Sequence, residues 1–595
     1  MNKLLYLFSL CALATLLIGN SADAQLRKTQ VRNAGEVIDL NQFIGGFCGC
    51  TDCDGIPEHN NPTDEVNGFF LATRWTATVL SGGGLALGEP TMVTWSIAPD
   101  GTDANSGGGF VPSNLISTFD NLFNEPNAGS PDLTNRFWFG LFEQALDRWG
   151  ELGGLEYVYE PNDDGLATFT AGGALGVRGD VRIGGFNIDG AGGTLAFNSF
   201  PNNGDMAIDT ADSGLFGSAA AGFRLFRNVV THEQGHGIGF AHVVSNNAGF
   251  LMEPFISGAF DGPQLDDVRA VHRGYGDVFE KGNDLAGNDS ISNATDLGTL
   301  TEGQPVTIGT DGATGTFVLI SDDDFVSIDD NGDTDFFRVT VEELGFISTT
   351  LTPVGATYNQ SPEGGPGATP LNTSAQSNLT LALFNSSGSP EGLVNNAGLG
   401  GAETLNDILV PPGDYFIRVT GTANTVQLYT LSVSVESLDI PVSTGPTLVS
   451  PSTGVVTGGG VGDLLVADNS TLDLQPTVPE GSADEPIVAL FTLFAPEAQV
   501  TSVSFSYEGS GNTPNLNQAL SVFNTDTGLF EELDSRQVTL GDSNFQVTPD
   551  GNPQDYVSFP SGLILIEMAY QPTGPVFLYP WTISIDRLVT NTLGQ

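Results

Sequence analysis

His232-Glu-Gln-Gly-His236-Gly-Ile-Gly239-Phe-Ala-His242 is the stretch whose reading decides the fold. The chain has five histidines in 595 residues, and three of them fall within these eleven. On a helix, residues four apart share a face, so His232 and His236 can both reach one ion. Gly239 has no Cβ and can take the left-handed conformation that ends the helix and turns the chain back, which brings in His242 as a third ligand. Three neutral nitrogens leave the fourth position of a tetrahedral zinc site open for water, the mark of a catalytic site and not of a closed structural one. Glu233 follows the first ligand directly, so its carboxylate is expected beside that water as general base. His59 and His272 lack such company and read as ordinary loop and helix residues.

Working outward, the zinc helix spans about 222–239, and a second helix is predicted over 136–151, with Phe137, Leu141, Ala145 and Trp149 as a buried stripe at four-residue spacing. Met252 stands ten residues after the third histidine, in Phe250-Leu-Met-Glu-Pro254. Histidines, glutamate, glycine and methionine together resemble the metzincin signature, a zinc helix followed by a Met-turn. Within that clan the chain is most similar to the matrixins. The segments Gly179–Ile183, Asp189–Ala196, Phe200–Asp212 and Leu265–Gly276 resemble that family's successive elements.

The resemblance implies one catalytic zinc on His232, His236 and His242, Glu233 as general base, and Met252 as a hydrophobic floor. It also implies one structural calcium on Asp189, Asp209 and Asp212 with the carbonyls of Gly190, Gly192 and Thr194. A second calcium is implied on Asp180 and Asp205 with the carbonyls of Pro201 and Asn203. Asp212 stands where the family usually has Glu, a shorter reach. The family's second zinc is expected to be absent, because Phe197 and Ala207 fill the matching positions and no histidine lies between His59 and His232. Thr194 to Asn198 is expected to be the edge strand that takes an extended protein or peptide substrate, with Pro254 to Ile256 walling the specificity pocket.

Asp and Glu number 71 against 18 Lys and Arg, a formal charge of −53, which repels phosphate backbones and anionic lipid surfaces and excludes nucleic-acid and membrane-surface roles. Residues 1–24 read as a secretory signal, with Lys3, an apolar run from Leu4 to Gly19 and Ala22-Asp23-Ala24 as cleavage site, so a secreted mature chain without a membrane span is expected. The segment 25–66 then carries Cys48, Cys50 and Cys53. These suit a local disulfide with a spare thiol; matrixin zymogens, by resemblance, place such a thiolate on the zinc.

From these readings the chain is multi-domain: an α+β metzincin/matrixin catalytic domain over 67–280, a mixed twisted sheet plus helices, followed by two all-β sandwich-like modules. Residues 281–437 show short alternating strands such as Asp335–Val341 and Asp414–Thr420, and 289–436 resemble the bacterial pre-peptidase C-terminal domain. The acidic turns Asp322–Asp324 and Asp329–Asp335 read as solvated. The Gly-, Ser-, Thr- and Pro-rich stretch 438–466 reads as a linker, and 467–595 as a C-terminal all-β module for which surface or matrix attachment, substrate binding and a sorting role are all open. The functional expectation is a secreted zinc endopeptidase. The competing class is a non-catalytic adhesion or matrix-binding protein with a vestigial peptidase domain, and zinc hydrolysis of a non-peptide amide would use the same site chemistry.

Overall fold

The computed structural model describes residues 68–105, 109–246, 249–363, 365, 367–438, 441–477, 486–497, 499–576 and 578–594. The signal-like stretch 1–24, the segment 25–66 with its three cysteines, and His59 lie outside the described residues. The chain divides into two compact units, one reaching Glu436 and one starting at Ser437.

The first unit opens with a mixed sheet. Thr91–Ile97 (β1) is buried along almost its whole length, as a central parallel strand must be. It pairs in parallel with Leu155–Tyr159 (β2) and with Val181–Phe186 (β3). Ala196–Asn198 (β4) runs antiparallel beside Met206–Asp209 (β5), which itself pairs in parallel with β3. The resulting order is β2-β1-β3-β5-β4, with β4 at one edge.

Four helices matter for the site: Leu115–Phe123 (α1), Phe139–Leu152 (α2), Arg224–Gly237 (α3) and Leu265–Tyr275 (α4). The helix expected from residue 136 starts at Phe139. Phe137 therefore precedes the first turn, leaves the predicted stripe and is 53% exposed, while Leu141, Ala145 and Trp149 are buried. Trp149 donates its Nε1–H to the Thr231 carbonyl on α3 (2.9 Å), and Thr231 Oγ1 donates to the Ala145 carbonyl on α2 (3.2 Å). Trp95 on β1 stacks on Phe139 at 5.1 Å. Each such fully buried large apolar side chain contributes about 1.5–3 kcal/mol, so the sheet and α2 fix α3 from two sides.

The sandwich that follows packs partly against this core. Val318, Phe325, Val354, Tyr358, Val426 and Leu428 belong to the same apolar cluster as Trp149 and Met252, while Phe337, Ile347, Leu381 and Ile417 belong to a second core of the sandwich itself. The two strands expected there, Thr334–Val341 and Gly413–Gly421, are antiparallel neighbours with Asp335 opposite Val419. A hairpin of Thr357–Pro362 (β7) and Thr369–Asn372 (β8) leaves the sandwich, and β7 pairs antiparallel with Val243–Ser245 (β6), just after the third histidine.

In the second unit, two sheets enclose a core that includes Phe491, Tyr507, Ile566 and Trp581. The stretch 438–466 is not a linker. Val442–Thr444 pairs with Ile583–Gly594, Leu448–Thr453 with Ile487–Phe494, and Val455–Gly458 with Leu472–Gln475. Its turn-rich composition conceals Val449 and Val456, which pack on the core, while Gly454 at φ +84° is the single residue that passes the chain from one sheet to the other.

Candidate active site

α3 and the turn after it bring the three histidines together. His242 Nε2 lies 3.3 Å from His232 Nε2 and 3.2 Å from His236 Nε2. Nitrogens held about 2.0–2.1 Å from one tetrahedral ion stand roughly 3.3 Å apart, so the spacing fits a single zinc. The outer ring nitrogens settle the proton positions. His232 Nδ1 lies 2.6 Å from the Leu251 carbonyl, and His236 Nδ1 lies 2.6 Å from the Phe240 carbonyl. A carbonyl only accepts, so each Nδ1 carries the hydrogen and each Nε2 turns a lone pair inward. Burial holds His232 down at about 3 and His236 well below the ordinary imidazole range, so both are neutral. Inward lone pairs at this distance repel one another unless a cation sits between them. His242 Nδ1 lies 2.8 Å from a carboxylate oxygen of Glu363.

Local sequence explains the turn. Gly239 has φ +110°, its N–H donates to the His236 carbonyl (2.9 Å), and Phe240 N–H donates to the Gly235 carbonyl (2.9 Å). Trp75 closes the helix end by donating its Nε1–H to the Gly237 carbonyl (2.9 Å). Met252 lies under the helix: a Cβ on Gly235 would stand 3.0 Å from Met252 Cε and 3.3 Å from Trp149 Cζ2. Asp267, in the first turn of α4, pins this Met-turn by accepting from the backbone N–H groups of Leu251 (2.8 Å) and Met252 (3.2 Å). Glu233 is buried in α3 beside His232. Asp267 and Glu363 were missed in the sequence, because neither shares a motif or a helical face with the triad. His272 is buried on α4 between the Leu152 carbonyl (2.8 Å) and Ser327 Oγ (2.9 Å), a core histidine with both ring nitrogens engaged.

The residues read as calcium ligands separate into two cases. Asp189, Asp209 and Asp212 wrap one loop: Asp189 accepts from Thr194 N–H (3.0 Å), Asp209 from Asp189 N–H (3.2 Å), and Asp212 from Gly192 N–H (2.8 Å). Gly190 and Gly192 take φ +95° and +87° in that loop. The other Asp212 oxygen is buried without a hydrogen-bond partner. Asp180 and Asp205 each accept backbone N–H groups inside the fold. Asp180 accepts from Thr94 N–H and Val79 N–H (both 3.0 Å), and Asp205 from Arg182 N–H (2.8 Å) and Phe169 N–H (2.7 Å).

Among the described residues, the groups of three His, Cys, Asp or Glu side chains whose ligand atoms lie within 4.8 Å of one another are the histidine triad and Glu280–Asp333–Asp335. Asp335 is fully buried, so the acidic turn around it is not solvated as expected. Burial, with repulsion from neighbouring carboxylates, pushes Glu280 up to about 10 and Asp333 to about 8. One Asp335 oxygen accepts from Tyr429 OH (2.6 Å) and the other has no hydrogen-bond partner. That donor set suits a hard cation.

Edge strand β4 runs beside the triad helix; a Cβ on Gly237 would stand 2.7 Å from Asn198 Nδ2. Phe197 and Ala207, where matrixins carry further zinc-binding histidines, are direct antiparallel partners on β4 and β5. They are packed in an apolar cluster with Phe186, and Phe197 stacks on Phe169 at 5.4 Å. After Met252, Pro254 is buried and Phe255 is 62% exposed.

Residues 129–276 match the family model described as Matrixin, a span that contains the triad, Glu233 and Met252. The curated proteins contain no match to the chain. Among solved structures, the pre-peptidase C-terminal domain of collagenase from Bacillus anthracis is 17% identical, covering 24% of this chain and 94% of that one, with a TM-score of 0.15. The N-terminal CBM22-1-CBM22-2 tandem domain from Paenibacillus barcinonensis is 11% identical over 53% of this chain and 95% of that one, TM-score 0.20. A fucolectin from striped bass serum is 8% identical over 46% and 87%, TM-score 0.21.

Proposed function

We propose, from the matrixin match at 129–276, that this chain is a secreted zinc endopeptidase that hydrolyses peptide bonds of extracellular proteins. The observation that carries the reading is the inward convergence of three Nε2 lone pairs at 3.2 and 3.3 Å. His232, His236 and His242 would hold the ion. A zinc ion held there would polarise a scissile carbonyl and acidify an attacking water. Glu233 takes the proton of that water and passes it to the leaving amine. The free edge of β4 pairs with an extended substrate, and Phe255 and Ile256 flank its specificity pocket. Buried surroundings strengthen each of these interactions by excluding water.

Export rests on the signal-like residues 1–24. Among the described residues no helix is long and apolar enough to cross a membrane. Calcium support is proposed at the Asp189–Asp209–Asp212 loop, at Asp180 and Asp205 with the carbonyls of Pro201 and Asn203, and at Glu280–Asp333–Asp335. The second unit remains proposed as a surface- or matrix-attachment module. Retention of Glu233 beside all three histidines opposes the non-catalytic alternative, since loss of the base is the simplest way to lose the chemistry.

The test is digestion of gelatin by the purified chain, with and without the segment to residue 66. Cleavage should stop on chelation and return with added zinc. Persistence of cleavage in the chelator, or its absence from both preparations, would sink the proposal.

A further inference from the structure

Resting on the zinc reading above, we infer that Glu363, at the tip of the hairpin that leaves the β-sandwich, is a positioning residue for the third histidine, so that hairpin completes the metal centre of the domain it follows. The three outer ring nitrogens are not treated alike. His232 and His236 give their Nδ1 hydrogens to backbone carbonyls 19 and 4 residues away. His242 gives its own to a carboxylate 121 residues away, at 2.8 Å.

The contact is built into the backbone. β7 pairs with β6 through Gln360–Ser245, Ser361–Val244 and Pro362–Val243, and the next step of the ladder is Glu363 N–H donating to the His242 carbonyl at 3.1 Å. Glu363 is therefore held at both its main chain and its side chain by the residue it orients. β7 is anchored in turn to the catalytic domain: Tyr358 OH donates to Asp266 Oδ1 (2.6 Å) and accepts from Arg269 Nη1 (3.0 Å), both on α4. The Tyr358 ring meets the edge of Phe250 at 5.0 Å, one residue before the Leu251 carbonyl that holds His232. One strand of this hairpin thus braces two of the three ligands.

Chemistry gives the arrangement its consequence. A carboxylate on Nδ1–H fixes the imidazole tautomer, aligns the ring and makes Nε2 a better donor to a metal. It also sets a negative charge behind the one ligand that comes from the turn and not from the helix, where the backbone alone holds the ring less firmly. An ordinary surface contact would lack the reciprocal backbone bond. Here the His242 side chain is 1% exposed and that of Glu363 44%, so the carboxylate reaches inward from the module's surface.

The test uses the full chain, its Glu363→Ala and Glu363→Gln variants, and His236→Ala as reference. Zinc affinity is read by competition with a chromophoric chelator, and ligand geometry by the visible spectrum of the cobalt-substituted protein. Glu363→Ala should lower zinc affinity about 10–100-fold, the usual effect of losing such an outer partner, and change the cobalt spectrum. Glu363→Gln, which keeps an acceptor oxygen without the charge, should fall between. The metal-free forms should melt together. Unchanged affinity and spectrum in Glu363→Ala overturn the inference, as does a loss of affinity matched by an equal loss of metal-free stability. If the zinc of the unmodified chain survives His236→Ala, the metal-centre reading itself fails, a result distinct from intact binding that Glu363→Ala does not move.

Discussion

Replacing Gly239 by alanine would put a methyl group inside van der Waals contact of the Thr73 carbonyl oxygen and 2.6 Å from its carbonyl carbon. The obstacle is backbone, and it cannot rotate away: Ala72 N–H and Thr73 N–H both donate to the Gly239 carbonyl, at 2.9 and 3.3 Å. The φ of +110° at this position adds strain of about 1–3 kcal/mol for any residue with a Cβ. Forcing the Thr73 segment aside costs about another 1–3 kcal/mol, so a total of roughly 2–6 kcal/mol follows. At about 2–4 °C per kcal/mol for a domain of 150–250 residues, and less for a longer unit, melting should fall on the order of 5–10 °C. Gly140→Ala is the matched control. Gly140 lies inside α2 and a Cβ there meets nothing within 4 Å, so the variant should gain about 0.5–1 kcal/mol. Calorimetry with zinc analysis reads both effects, because displacing the turn also displaces His242. A Gly239→Ala chain that melts with the unmodified protein and keeps its zinc would refute the claim that this turn delivers the third ligand.

Metal analysis of the purified chain should give one zinc, since Phe197 and Ala207 occupy the positions of further histidine ligands; two per chain would contradict that. Burial lowers His272 to about 4 from an ordinary 6.5. The unfolded chain then binds the extra proton first, so this contribution to stability is complete above about pH 6.5 and is lost as pH falls toward 4, on the order of 3 kcal/mol. Urea unfolding at pH 7 and 4.5 should show His272→Gln losing less across that window than the unmodified chain, and equal losses would count against it. Asp267→Ala strands the buried N–H groups of Leu251 and Met252, at about 1–3 kcal/mol for each group left unsatisfied. Its urea midpoint should fall clearly, and an unmoved midpoint would show that Asp267 does not pin the Met-turn.

The parts of the site that were legible in sequence are those written locally. His232 and His236 share a helical face, Gly239 supplies a turn only glycine tolerates cheaply, and Met252 follows at short range. Phe197 and Ala207 are direct partners across β4 and β5, a neighbourhood set by the turn between the two strands. What stayed hidden depends on contacts between distant segments. Glu363 reaches His242 from 121 residues away, and no periodicity announces that a hairpin strand will extend the ladder after a zinc ligand. Asp180 and Asp205 have the residue type of calcium ligands, and the backbone N–H groups of Thr94, Val79, Arg182 and Phe169 that reach them are supplied by the tertiary fold. Residues 442–458 carry a linker's composition and a strand's alternation, and the neighbouring strands decide between them.

The central claim is that a zinc centre with Glu233 as base hydrolyses peptide bonds. The most direct measurement is kcat/KM on a denatured protein for the unmodified chain and for Glu233→Gln, both loaded with zinc and shown to contain equal amounts. Removal of the general base with the metal retained should lower the rate by about 10²-fold or more. Equal rates at equal zinc would contradict the account, because the hydrolysis would then arise from some other site.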